Sequence, residues 1–303
     1  MKVKSRKRII KFFCNLIPIT SLRRKIRKRL ERVEMVFPYK LKPHFNNVEN
    51  PVISIIMPVY NQYKVTYECL KSIAYYMPEV SFEIIIADDG STDETVNMEK
   101  NVPGVKVVKT SGGLGFLKNV QNAVPYAKGK YIFLMNNDMM VTENWLDSSY
   151  NLISEDETIG IVGSLNLGPD GDVQEYGASI SDTGNAYMNC MHKKKFNIDD
   201  LKPVECDYCS GCSILFLKSD WDNLNGFDEK FSPAYYEDTD FNFRVRYVLN
   251  KKVICDPKSR IYHYRNMTYS ENASILSEKN RAYFLQKWGK QLEELNEGRT
   301  FNF

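Results

Sequence analysis

From Pro51 onward, short β-rich apolar runs alternate with helical stretches, the pattern of a parallel α/β sheet. Residues 52–57 (Val-Ile-Ser-Ile-Ile-Met) predict a first strand, stopped by Pro58. In the next stretch Val65, Cys69, Leu70 and Ile73 recur at helical spacing and make one apolar face. Residues 82–87 predict a second strand, which ends in Asp88-Asp89-Gly90-Ser91-Thr92-Asp93 with Ser91 or Thr92 available as a helix cap. Residues 105–108 predict a third strand. Gly112-Gly113-Leu114-Gly115 then opens a helix to about Ala127, and residues 130–135 form a fourth strand running into Asn136-Asn137-Asp138. Acidic and glycine-rich loops therefore collect at the carboxyl ends of parallel strands, the edge at which open α/β sheets bind ligands.

After residue 158 the regularity loosens. Strand-like pieces at 159–165, 172–180 and 213–217 are separated by polar linkers, and 191–203 reads as an excursion. A helix starts near Glu237, strand-like pieces follow at 253–254 and 261–263, and a last helix is expected over 277–288 with a patternless tail from 291.

A chain of 303 residues fits one large or two small domains, and 43% hydrophobic with 26% charged residues excludes global disorder, collagen-like repeats and coiled coil. The net charge of +3 hides an asymmetry: of the 41 Lys and Arg, 12 fall within residues 1–30, where there is no acid, and the other 29 face 38 Asp and Glu. The basic character belongs to an arm and the body is acidic. No apolar run reaches the roughly 18 residues of a membrane span. The apolar piece 12–19 contains Asn15 and Pro18 and leads to Arg23 and Arg24, so no secretory signal is expected. The seven cysteines read as reduced thiols. Cys206, Cys209 and Cys212 lack a fourth ligand at suitable spacing, and their segment reads as a turn feeding an apolar strand.

The candidate chemistry lies in the acid-tipped strands. Asp88, Asp89 and Asp138 can accept hydrogen bonds from a nucleotide or hold a hard cation against phosphates, or they can simply cap the helices that follow. The Gly112–Gly115 segment fits neither the P-loop nor the dinucleotide fingerprint and could equally serve helix packing. Tyr235-Tyr236-Glu237-Asp238-Thr239-Asp240 places acids at a helix start, where the helix dipole stabilises them, or offers a general base beside aromatics. His263 follows a strand-like Ile261-Tyr262, and is structural or a ligand.

In their order along the chain these pieces resemble an inverting family 2 glycosyltransferase with a GT-A fold, over about residues 52–263. The matching pieces are Pro58-Val59-Tyr60-Asn61, Asp88 to Asp93, Gly113-Leu-Gly-Phe116 with Asn119, and Asn136-Asn-Asp138. Pro169-Asp170-Gly171 with Gly177, Ser210-Gly211-Cys212, Gly226-Phe-Asp-Glu229, Glu237-Asp-Thr-Asp240 and Tyr262-His263 complete them. The resemblance implies an α/β fold with a mixed, mainly parallel sheet flanked by helices. It divides the chain into a basic amphipathic arm and linker (1–50), a GT-A domain (51–290, with a nucleotide-sugar half to 140 and an acceptor half beyond) and a tail (291–303).

The same resemblance implies roles. Pro58, Tyr60, Asn61, Asp88, Asp89, Gly115 and Asn119 would bind the donor nucleotide of a UDP- or dTDP-sugar. Asp138 and His263 would hold Mn2+ or Mg2+, although Asn136 stands where many relatives carry a second Asp. Asp238 would be the catalytic base, with Gly211, Glu237 and Asp240 supporting a saccharide, lipid-linked or protein acceptor. The work would be cell-surface polysaccharide or glycoconjugate assembly.

The arm interleaves Ile9, Ile10, Phe12, Phe13, Leu16 and Ile17 with basic clusters, as an interfacial segment on anionic lipid does. It predicts a cytoplasmic protein attached peripherally to the membrane, and the acidic body argues against nucleic acid. Two rivals remain at this level: a sugar-1-phosphate nucleotidyltransferase, and a non-catalytic glycan-binding protein on a transferase fold.

Overall fold

A computed structural model of the protein describes residues 41–189, 198–264 and 273–299. The basic arm and most of the 191–203 excursion lie outside the described residues.

The four predicted strands form: β1 Ile53–Val59, β2 Phe82–Asp88, β3 Val105–Lys109 and β4 Tyr131–Met135. β1 does not stop at Pro58 as expected but pairs with β2 as far as Val59, beyond the point at Ile56 where its ladder with β4 has ended and an N–H is no longer needed on that side. β1 pairs in parallel with both β2 and β4, and β3 pairs in parallel with β2. They are continuous apolar runs because they are buried on both faces. Ile56, Ile132 and Leu134 pack into the core on one side of the sheet, while Ile53, Ile55, Phe133 and Met135 pack into the core on the other. Helix α1 (Tyr63–Tyr75) buries Cys69, Leu70 and Ile73, the face its spacing predicts. Helices α2 (Gly115–Ala123) and α3 (Trp145–Glu155) follow, the second anchored by a fully buried Trp145 on the Phe133 ring at 5.1 Å.

The second half extends the same sheet. After β5 (Met139–Val141) and β6 (Ile159–Leu167) come β7 (Val173–Glu175), the hairpin β8 (Ala178–Ile180) and β9 (Ala186–Met188), β10 (Val204–Glu205), β11 (Ser213–Leu217) and β12 (Lys252–His263). The strand order is β10-β12-β6-β11-β4-β1-β2-β3, with β5 on β12 and β7 on β6. β11 runs antiparallel between β4 and β6, which makes the sheet mixed but mainly parallel. Helices α4 (Lys218–Asn223), α5 (Glu237–Tyr247) and α6 (Ala273–Asn296) complete the layers.

Three elements differ from the pattern reading. The pieces at 253–254 and 261–263 are one strand, β12, whose middle shifts register between Asp256 and Arg260. Polar residues masked it: Asp256 is buried and accepts from the Ser148 hydroxyl, and Ser259 meets Ser164 at 2.8 Å. The expected single strand at 172–180 breaks into β7 and β8 at Tyr176-Gly177, where Gly177 has φ +62°. The final helix runs through the expected tail to Asn296, because Leu292 is fully buried and the Asn296 amide donates to the Ile180 carbonyl at 3.0 Å.

Candidate active site

The carboxyl ends of β1 and β2 bring most of the expected nucleotide residues together. Asp88 ends β2, is 1% exposed, and accepts from the Ser91 N–H at 2.9 Å. The Asn61 side-chain oxygen Oδ1 accepts from the Thr92 N–H at 2.8 Å, and the Asn61 backbone N–H donates to the Ser91 hydroxyl at 2.7 Å, which locks the two loops to each other. Pro58 stands in register with Ala87, and the Tyr60 ring is 55% exposed at this edge.

Asp89, Gly115 and Asn119 face inward from the same edge. The Asp89 carboxylate accepts from the Thr110 hydroxyl and the Leu114 N–H on one oxygen and from the Gly115 N–H on the other, at 2.9 to 3.0 Å. It caps the start of α2. Gly115 has φ +74°, and a Cβ there would lie 2.5 Å from the Pro233 Cβ, so only glycine lets the 232–236 loop approach. The Asn119 amide donates to the Ala87 carbonyl at 2.7 Å and ties α2 to β2.

Asp138 follows β4, and the antiparallel pairing of β5 with β12 sets Met139 opposite His263. This carries His263 Nε2 to 3.4 Å from Asp138 Oδ1, with both side chains mostly buried. Neighbouring ligands of a cation with bonds of about 2.1 Å stand about 3 Å apart, so this oxygen and nitrogen fit one divalent ion. Among the described residues no group of three or more His, Cys, Asp or Glu gathers for a metal. Asn136 donates its N–H to the Cys212 carbonyl at 3.0 Å, and the Asn137 amide donates to the Thr66 hydroxyl at 2.9 Å.

Asp238 sits in the first turn of α5, at a cleft of about 300 Å3 that Tyr208, Ser210, Tyr235, Tyr236 and Glu237 also line. Its Oδ2 accepts from the Gly211 N–H at 2.8 Å and the Tyr208 hydroxyl at 3.0 Å, and its Oδ1 from the Thr239 N–H at 2.7 Å. Burial raises its carboxyl above the ordinary aspartate value, against the pull of these hydrogen bonds. Burial raises the neighbouring Glu237 carboxyl well above the ordinary glutamate value, and the Asp238 charge adds to the effect. The arrangement is a carboxylate of raised basicity at an open cleft, with a second buried carboxyl beside it.

Asp240 turns the other way. It is fully buried and takes Arg244 Nε at 2.7 Å, Trp288 Nε1 at 2.8 Å and Lys287 Nζ at 2.8 Å, so it fastens α6 to α5 and does not line the cleft. Cys206 and Cys209 are buried with their sulfurs 3.4 Å apart, and the hydrogen bond to Cys209, followed by burial, pushes the Cys206 thiol up.

The sequence gives no sign of Glu175 as a site residue. It is buried in β7, where its Oε1 accepts from the Ser210 N–H at 2.7 Å, and burial pushes its carboxyl up to about 6. It interacts electrostatically with both Asp238 and His263. The residue before it, Gln174, donates its amide to the His263 carbonyl at 3.0 Å. β7 is therefore a strut joining the Asp138/His263 pair to the loop that holds Asp238. Its sequence signal, a Gln-Glu pair inside a strand-like run, is an ordinary one.

The Glycosyl transferase family 2 model matches residues 54–224. The chain belongs to glycosyl transferase family 2. The matched segment contains Pro58, Asp88, Asp138 and Gly211, and ends before Asp238 and His263.

An uncharacterized glycosyltransferase of Rickettsia prowazekii is 27% identical to this family 2 chain over 269 residues, covering 85% of it and 79% of the relative. Glycosyltransferase GlyG of Streptococcus pneumoniae is 31% identical over 119 residues, 37% of this chain. The poly(ribitol-phosphate) beta-glucosyltransferase of Bacillus spizizenii is 35% identical over 121 residues, also 37% of this chain. The chain spans only 38% and 19% of these last two relatives. Among solved structures, GalNAc-T7 with UDP, GalNAc and Mn2+ aligns at a TM-score of 0.64 and 15% identity, over 80% of this chain and 50% of that one. That similarity is one of fold.

Proposed function

We propose that this protein is an inverting, divalent-cation-dependent glycosyltransferase that moves a sugar from a nucleoside-diphosphate sugar to a hydroxyl of a saccharide, lipid-linked or protein acceptor. The observation that carries the reading is Asp238: a carboxylate of raised basicity, oriented by three hydrogen bonds, open to a cleft in a family 2 fold. Cell-surface polysaccharide or glycoconjugate assembly is its setting, in keeping with the poly(ribitol-phosphate) glycosyltransferases among its relatives.

Donor binding falls to the β1 and β2 edge. Tyr60 offers an exposed ring for a base, with UDP or dTDP the nucleotides favoured, and Asp88 and Asn61 shape the loops beneath it. Asp138 and His263 would hold Mn2+ or Mg2+, which when bound neutralises charge developing on the departing diphosphate. A GT-A neighbour solved with UDP and Mn2+ is in keeping with use of a divalent cation.

At the cleft Asp238 takes the proton of the acceptor hydroxyl as its oxygen bonds to the anomeric carbon, and the carbon–phosphate oxygen bond breaks on the opposite face. The Tyr208 hydroxyl and Gly211 N–H fix one carboxylate oxygen, and the Thr239 N–H fixes the other. Both lone pairs of Oδ2 are taken by these two donors, so Oδ1, with the Thr239 N–H as its one close donor, is the oxygen left to take the incoming proton. Burial, and then the Asp238 charge, disfavour a second negative charge on Glu237 beside the base.

Among the described residues no helix is long and apolar enough to cross a membrane. The arm at residues 1–30 is the proposed attachment to an anionic, cytoplasmic membrane face, and it lies outside the described residues.

The test is a panel of nucleotide-sugars with Mn2+. One donor should raise the melting temperature by mass action and be hydrolysed slowly in the absence of acceptor. If no nucleotide-sugar stabilised the protein, the proposal would fall.

A further inference from the structure

Tyr235 and Tyr236 both stand in left-handed backbone, at φ +75° and +69°, a conformation that bulky side chains avoid. The corner is held from outside. The Asn280 amide of α6, itself buried, donates to the carbonyls of Phe231, Ala234 and Tyr235 at 2.8, 2.9 and 2.9 Å. The Tyr236 hydroxyl is committed to the Gly184 carbonyl at 3.0 Å. Tyr235 lines the Asp238 cleft and is 38% exposed. Glycine would occupy this corner without strain, so a tyrosine held there against strain points to work done by its ring.

Glu237 supplies a second, independent observation. It is 5% exposed, lines the same cleft, and its Oε2 has no hydrogen-bond partner among the described residues. A buried polar atom left unpaired is costly, and a ligand hydroxyl reaching it removes that cost. The cleft's volume of about 300 Å3 is at the lower end for ligand sites, suited to a terminal residue and small for a long chain. What matches these walls is a small body with one flat apolar face and a hydroxyl edge.

We infer that the Asp238 cleft takes a ring sugar as the acceptor's terminal residue, its C–H face on the Tyr235 ring and a hydroxyl on Glu237. This rests on the acceptor reading of the cleft given above. An open-chain polyol has no flat face for the ring, and a peptide hydroxyl has neither that face nor neighbouring hydroxyls to offer Glu237.

Saturation-transfer NMR on the full chain reads the class directly. The probes are methyl pyranosides of glucose, galactose, mannose and N-acetylglucosamine, with ribitol and N-acetylserinamide as non-ring probes. Ring protons of at least one pyranoside should saturate, and the non-ring probes should not. Tyr235→Gly suits the left-handed corner and keeps the fold, and should bind that pyranoside roughly fivefold more weakly. Tyr235→Phe keeps the ring face and should bind as the native protein does. Saturation of no pyranoside, equal saturation of ribitol or the serinamide, or unchanged pyranoside binding by Tyr235→Gly overturns the inference. Nucleotide-sugar binding is measured on the same samples. Loss of donor binding in Tyr235→Gly would assign the ring to the donor and overturn it too. Tyr235-dependent pyranoside binding in a native protein that takes no nucleotide-sugar would leave this site standing and remove the proposed activity.

Discussion

The Gly211 N–H donates to Asp238 Oδ2 at 2.8 Å, and the Gly211 backbone approaches so closely that a Cβ there would stand 3.0 Å from the Asp238 Cβ and 3.3 Å from Oδ2. Glycine is therefore the residue that lets this backbone hold the carboxylate. Gly211→Ala should displace Asp238 by a few tenths of an ångström. Misplacement on this scale should lower kcat by about tenfold or more. The melting temperature should move little, and steady-state kinetics beside a thermal melt separate the two effects.

Glu175 gives a pH signature. Its carboxyl is raised from 4.5 to about 6, so the folded protein binds this proton more tightly than the unfolded chain does. The stabilisation is complete below the unfolded value and is lost as pH rises through the folded one. At pH 8 the buried carboxylate costs about 2 kcal/mol relative to acid conditions. Glu175→Gln keeps an oxygen for the Ser210 N–H and removes the charge. Urea unfolding should find it more stable than the native protein at pH 8, with the advantage shrinking at pH 5. An advantage independent of pH would contradict this origin.

The Asp138/His263 pair predicts a graded metal response. Asp138→Ala should abolish cation dependence and most transfer, and His263→Ala should weaken Mn2+ activation several-fold, because a carboxylate and an imidazole make unequal contributions to holding the ion. Activity titrated against Mn2+ measures both. Full native transfer in excess chelator would reject a metal at this pair.

How much of this was legible in the sequence follows from what each residue does. The first four strands and α1 were readable because burial on both faces writes apolar runs and the helix writes one apolar face. β12 was not, since its middle buries Asp256 and Ser259 against polar partners that lie far away in the chain. Asp138, Asp238 and His263 stand out in the sequence as acids at strand and helix ends and a histidine after a strand-like pair, and the resemblance alone suggests their roles; in the fold Asp138 and His263 meet at 3.4 Å and Asp238 lines a cleft. Asp240 shares the acidic cluster with Asp238, yet two residues along a helix turn its side chain to a different face. The Arg244 four residues on was the available sign of its structural pairing. Glu175 and Asn280 left no mark, because each acts through backbone groups of a distant loop.

The central claim is that Asp238 is the base, and Asp238→Asn tests it most directly. The substitution keeps size and most hydrogen bonding but removes the basic oxygen, while the donor residues on β1 and β2 are untouched. The measurement is kcat for sugar transfer beside nucleotide-sugar affinity, with Glu237→Gln as the neighbour control. Asp238→Asn should keep near-native donor affinity and lose roughly two to four powers of ten in kcat, and Glu237→Gln should lose much less. Native-rate transfer by Asp238→Asn, with Glu237→Gln inert, would contradict the account.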